Sequence, residues 1–180
     1  MVILGLDPGW ASLGWGLLDL GSPRPRCLGA GVIRTKVNPK ANRCDDNVER
    51  CAVIHDALAK LHKEHRFIII AAEAQSWTRF AKSDRGVAMA WGVIAATAER
   101  FSCPVVQITP QEIKRRVTGA SSARKAHVQT AIENMVQDAP GFLEALAKSQ
   151  QNHASDALAV AVASQAHDLV RAVRRYRGNE

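Results

Sequence analysis

Phe67-Ile68-Ile69-Ile70-Ala71-Ala72-Glu73 decides how this chain folds. Its apolar residues run without a polar break and end in a carboxylate. A half-exposed strand alternates apolar with polar side chains, whereas a short unbroken run suits a central parallel strand covered on both faces. The residues before it supply the crossover that a parallel strand requires. From Asp45 onward, Val48, Cys51, Ile54, Leu58 and Leu61 recur at three-to-four spacing, which marks an amphipathic helix. After Glu73, the small-residue-rich stretch 86–100 reads as a helix and 104–108 as a further strand.

Upstream, residues 2–6 are a short apolar run ending in Asp7, followed by the turn formers Pro8 and Gly9. Residues 13–20 and 27–35 carry strand-like side chains, separated by Gly21-Ser22-Pro23-Arg24-Pro25, a hairpin or loop signal. These three runs form an antiparallel meander. Downstream, a helical turn is expected at 110–117 and a helix over 122–136. A last helix is expected from about His153 towards Tyr176, with Leu158, Val162, Leu169 and Val173 inside. Residues 138–151 are the least periodic and read as an irregular connection, and 171–180 as a charged, fraying tail. Three antiparallel strands, helix, strand, helix, strand, helices is the order of an RNase H-like α/β fold with a mixed five-stranded sheet. No internal repeat or long linker divides residues 1–180, so one domain is expected.

The 180 residues include 47% hydrophobic side chains, enough for a packed core. The formal charge of +7 favours a polyanionic partner without distinguishing DNA, RNA and anionic membrane. No apolar run approaches the ~18 residues of a membrane span, and no basic region precedes an N-terminal apolar stretch, so neither span nor signal peptide is expected. Cys27, Cys44, Cys51 and Cys103 lack CxxC or zinc-ligand spacing and read as reduced thiols of a cytoplasmic protein.

Three carboxylates fall where catalytic groups are presented. Asp7 ends the first strand, Glu73 ends the central one, and Asp156 is expected in the first turn of the last helix. The carboxyl ends of neighbouring parallel strands open onto one crevice. A helix starting there would bring His153 and Asp156 to it on one face, by their i, i+3 spacing. Singly each is weak: Asp-Pro-Gly is a common turn, and an Asp in a first helical turn often only complements the dipole. Glu73 is harder to explain away, because a carboxylate continuing a buried strand needs a reason. Together they suit Mg²⁺ or Mn²⁺, and two ions about 4 Å apart could activate a water and steady the leaving oxygen of a phosphodiester.

With these residues in view, the sequence resembles the RuvC family of Holliday-junction resolvases over most of its length. Ile3-Leu4-Gly5-Leu6-Asp7-Pro8-Gly9 with Gly14 and Gly16 is similar to the family's opening strand and turn, and Gly31-Val32-Ile33-Arg34-Thr35-Lys36 to its third strand. Ile113-Lys114 and Gly119 through Lys125 resemble its basic segment, and His153-Ala154-Ser155-Asp156-Ala157-Leu158-Ala159 its closing metal-binding helix. The resemblance implies a dimeric endonuclease, dependent on Mg²⁺ with Mn²⁺ also supporting activity, that cuts four-way and related branched DNA and leaves a 5′-phosphate. It implies two ions per site, with Asp7, Glu73, His153 and Asp156 as ligands and Lys114 and Lys125 beside the phosphate. The first position of the closing pair is Asp in some members and His in others, so His153 tilts the preference towards Mn²⁺.

The chain departs from the family pattern in two places. Ser76 stands where members often carry a Phe that stacks on a base, leaving Trp77 or Phe80 to supply that face. The connection before His153 is longer than in typical bacterial members, as in a phage-encoded or divergent relative. Trp77, Arg79, Phe80, Lys82 and Arg85 form the expected DNA-contacting segment, with Arg115 and Arg116 in a second block. The helix over 86–100 is the expected homodimer interface, with a core helix within one subunit as the alternative. The competing functions are another RNase H-like nuclease acting on RNA or other branched DNA, and a junction-binding protein that does not cut. A sugar-kinase or actin-like ATPase needs a second lobe that this length does not hold. The cell compartment implied is the bacterial cytoplasm or nucleoid, or a phage-infected host; the sequence names no helicase partner.

Overall fold

The computed structural model describes residues 1–75 and 81–178. Strands β1 (Val2–Asp7), β2 (Ser12–Asp19) and β3 (Arg26–Arg34) are antiparallel neighbours; β4 (Ile69–Glu73) and β5 (Val105–Ile108) add in parallel on the other side of β1. The sheet order is β3-β2-β1-β4-β5, the expected mixed five-stranded arrangement. Helix α1 (Arg43–His65) makes the crossover to β4, and α2 (Ala81–Arg100) the crossover to β5. Asn42 caps α1 by accepting from the Asp45 N–H.

Side-chain alternation along the strands builds two cores. Leu4, Leu6, Ile70 and Ala72 point to one face, where Ile54 and Leu58 of α1 and Ala90 and Ile94 of α2 cover them. Ile3, Ile69, Ala71, Val106 and Ile108 point to the other, beneath α3 (Pro110–Thr118), α4 (Lys125–Met135) and α6 (Lys148–Ser164). Each fully buried Leu or Ile contributes about 1.5–3 kcal/mol relative to exposure. Asp7 and Glu73 come one step after the Leu6–Ala72 pair, so the alternation turns both towards α6.

Helix α6 crosses β1 and β2 at backbone distance, which only glycine permits. A Cβ on Gly5 would overlap the Ala157 carbonyl oxygen, and a Cβ on Gly14 that of His153. These two positions seat the helix against the strand carrying Asp7.

Several boundaries differ from expectation. The closing helix begins at Lys148 rather than His153 and breaks at residues 165–167; α7 (Asp168–Gly178) follows. His153 and Asp156 therefore lie inside α6, and a favourable charge at a helix start does not account for Asp156. Residues 138–151 hold a short helix, α5 (Ala139–Glu144), and most of the expected fraying tail belongs to α7. Helix α2 starts ahead of Gly86, and α4 starts at Lys125 with Arg124 as an N-cap that makes no side-chain capping bond.

Candidate active site

Side chains from the sheet and three helices meet at the carboxyl ends of β1 and β4. His153 Nδ1 lies 2.8 Å from Asp7 Oδ2, and Lys125 Nζ donates to Asp156 Oδ2 at 3.0 Å. The carboxylates of Asp7 and Asp156 are each 23% exposed, open enough for a ligand yet partly withdrawn from water. Glu73 and Lys114 are also partly buried. The chain segments are held separately: Thr109 and Glu112 form a capping box that starts α3, Gly119 ends it in the left-handed region at φ 81°, and α4 follows with Lys125 in its first turn.

The acids feel one another. Burial pushes the Glu73 carboxyl up to about 7, helped by the charges of Asp7 and Asp156 and opposed by Lys125 and Lys114. Burial also raises Asp7, with the His153 hydrogen bond pulling it back and Asp156 adding repulsion. The Lys125 ammonium is held in its charged form chiefly by its hydrogen bond to Asp156, with Asp7 and Glu73 adding to the attraction. Clustered carboxylates repel unless cations sit among them. Here an ammonium takes that part.

Three carboxylates and one imidazole are a donor set for a hard divalent ion, with the imidazole better suited to Mn²⁺ than to Mg²⁺. The Lys125 ammonium, paired with Asp156 at 3.0 Å, shows that this carboxylate is open to a cation. As the side chains stand, no group of three His, Cys, Asp or Glu among the described residues is arranged to hold an ion. The donors are turned into two pairs, Asp7–His153 and Asp156–Lys125, and ion binding would require these pairs to open.

The candidate DNA contacts separate. Arg85 and Arg115 are exposed. The Arg116 guanidinium donates to the Ala163 carbonyl at 2.9 Å and faces Glu112 at 3.4 Å, with the side chain 25% exposed. That ties α3 to the C-terminal end of α6. Trp77, Arg79, Phe80 and the Lys82 side chain lie outside the described residues. Trp91 turns its ring partly into the core beneath α1 and α2, whereas Ala88, Gly92, Ala95 and Ala96 of the same helix are exposed. Sequence reasoning passed over Trp10 and Arg50, which pack together beside the Asp7 turn; their one signal was the place of Trp10 directly after Asp7-Pro8-Gly9.

The chain matches the family model described as Crossover junction endodeoxyribonuclease RuvC over residues 3–164. It is 33% identical over 162 residues to the RuvC crossover junction endodeoxyribonuclease of Thermomicrobium roseum, covering 90% of this chain and 91% of that one. The structure is similar to that of Thermus thermophilus RuvC in complex with a Holliday junction substrate, with a TM-score of 0.78, 26% identity and 96% of each chain covered. It is also similar to the yeast mitochondrial Holliday junction resolvase (TM-score 0.66, 12% identity, 97% of this chain and 83% of that one), a likeness that shows the fold.

Proposed function

This chain belongs to the RuvC family of crossover junction endodeoxyribonucleases, and from that membership we propose how its own residues do the work. The enzyme is a metal-dependent endodeoxyribonuclease that resolves DNA junctions, with branched DNA as its partner. Asp7, Glu73, His153 and Asp156 form the divalent-ion site, for two Mg²⁺ ions or for Mn²⁺. The carrying observation is that Asp7 and Glu73 end adjacent parallel strands on the face that α6 covers with His153 and Asp156.

Bound divalent ions would supply Lewis acidity at the phosphate and lower the cost of forming the attacking hydroxide. The protein does the rest. In the free enzyme His153 holds Asp7 in one orientation through the 2.8 Å contact, and the pair opens as both turn to an ion. Lys125 neutralises Asp156 in the free enzyme and, on release, becomes a mobile ammonium at the mouth of the site, placed to meet a phosphate oxygen. Lys114 adds positive charge to the same mouth, and Arg85 and Arg115 hold the DNA backbone further out.

The reading includes a twofold dimer. Along α2, Ala88, Gly92 and Ala96 present a small, exposed face, and a Cβ on Gly92 would meet nothing within 4 Å. Beside it runs an apolar groove of about 580 Å³ between α1 and α2, with Val48 at its edge 62% exposed. The same helix from a second copy fits such a surface, and two active sites would then face two strands of one junction. A branched-DNA substrate suits a bacterial cytoplasm or nucleoid, or a phage-infected host. No helix among the described residues is long and apolar enough to cross a membrane.

The test is cleavage of matched four-way, three-way, flap and linear DNA in Mg²⁺ and in Mn²⁺, with Asp7→Asn in parallel. The reading expects junction cleavage by the wild type, none by the variant, and near-equal junction binding by both. Equal cleavage by the variant would refute the assignment.

A further inference from the structure

A buried ion pair stands behind the catalytic turn. Arg50 and Asp46 of α1 are each 8% exposed, with Arg50 Nη1 3.7 Å from Asp46 Oδ2. Withdrawing two charges from water is costly, and a buried pair is often no more stable than apolar residues of the same volume. What this pair holds is therefore informative. The Arg50 guanidinium lies over the indole of Trp10, 4.4 Å from the ring centroid, and its Nε donates to the Thr35 hydroxyl at 2.9 Å. That hydroxyl donates to the Trp10 carbonyl at 2.6 Å, while the Thr35 N–H donates to the Ala11 carbonyl at 3.1 Å. Asp46 is fixed in turn by the Asn38 N–H at 2.7 Å.

The segment gripped this way is the Asp7-to-Ser12 turn. It is tight without any grip: a Cβ on Gly9 would overlap the Ser12 carbonyl oxygen. Trp10 meets α2 on another side, where a Cβ on Gly86 would stand 2.7 Å from the Trp10 Cβ. One side chain thus touches the turn after Asp7, the buried charge on α1 and the early part of α2. That part of α2 follows the segment expected to contact DNA.

We propose that Trp10, clamped by Arg50 and seated against Gly86, is a positioning residue that sets the Asp7 carboxylate for ion binding and ties its placement to α2. The inference rests on Asp7 being an ion ligand. A carboxylate at a strand end is only as well placed as the turn that follows it, and a misplacement of about 1 Å can cost about 10²-fold in rate.

The experiment compares Trp10→Ala, Trp10→Phe and Thr35→Val with wild type, taking Val170→Ala in α7 as a control of matched destabilisation. Thr35→Val keeps the volume and removes the bond to the Trp10 carbonyl, so it remains informative should Trp10→Ala fail to fold. Three quantities are read well below the melting temperature: single-turnover cleavage at saturating enzyme, junction Kd without metal, and Mn²⁺ affinity from the free-ion electron paramagnetic resonance signal. We expect Trp10→Ala and Thr35→Val to lose about tenfold or more in cleavage rate and to bind Mn²⁺ more weakly, with Kd within about threefold of wild type. Trp10→Phe, which keeps a ring beneath the guanidinium, should recover much of both losses. Unchanged rate and Mn²⁺ affinity, or losses equalled by Val170→Ala, would overturn the proposal. Asp7→Asn run alongside keeps the premise separate: if it binds Mn²⁺ and cuts like wild type, the ligand assignment of Asp7 has failed, whatever Trp10 does.

Discussion

Gly14 lies directly beneath the backbone of His153, so close that a Cβ on Gly14 would overlap the His153 carbonyl oxygen. Asp7 pairs with Gly14 across the β1–β2 ladder, so the strand pair that positions the first acid also sets the height of the helix carrying the next two donors.

Gly14→Ala should therefore act on the site as well as on the fold. Overpacking of this kind costs about 1–3 kcal/mol. The displaced backbone is that of His153 itself, so junction cleavage should fall by about 10²-fold while the protein still folds. Cleavage assays beside thermal melts check this; a variant that melts lower yet cuts at the wild-type rate would contradict it.

Lys125→Met separates the two parts given to that side chain. Removing the ammonium frees Asp156 from its 3.0 Å ion pair, so calorimetry should show Mn²⁺ binding at least as tightly as in wild type. Cleavage should nonetheless fall by about 10²-fold or more, the usual size of a lost charge beside a reacting phosphate. Weaker Mn²⁺ binding would mean that Lys125 organises the ion site rather than competing with ions for it.

Arg85 and Arg116 should behave oppositely in salt titrations. Each phosphate contact adds about 0.9 to the slope of log affinity against log salt, so Arg85→Gln should flatten it by about that amount. Arg116→Gln should leave the slope alone and lower stability by about 1–3 kcal/mol, because it removes a charged hydrogen bond to the Ala163 carbonyl.

Cys27 should give the protein an alkaline weakness. It is 1% exposed, and burial pushes its thiol up to about 11, the Gly29 N–H opposing and Asp138 adding to the rise. The folded state thus holds the proton more tightly than the unfolded chain. Its contribution to stability is complete below about pH 9 and is lost as pH rises towards 11, at about 1.4 kcal/mol per pH unit. Urea midpoints at several pH values should converge for wild type and Cys27→Ala on the alkaline side; parallel curves would contradict the shift.

The succession of strands and helices and the placing of Asp7 and Glu73 at strand ends were legible because they depend on local pattern. An unbroken apolar run has one comfortable environment, and a carboxylate at its end must face an opening. Helix limits were less legible. Nothing local distinguishes His153 from Lys148 as the start of α6, and residues 165–167 break a pattern whose apolar spacing continues through Leu169 and Val173. Where such a helix begins is settled by what it packs against.

The amino-acid order by itself determined the mixed sheet, its two acid-tipped strands and the family resemblance, since periodicity and strand-end chemistry act over a few residues. Tertiary structure alone decided which partners these groups take: Asp7 with His153, Asp156 with Lys125, Arg116 with the end of α6, and Trp10 with Arg50. Those pairings join residues far apart in the chain, and geometry chooses among many possible charge partners only when the sheet and α6 have closed on one another.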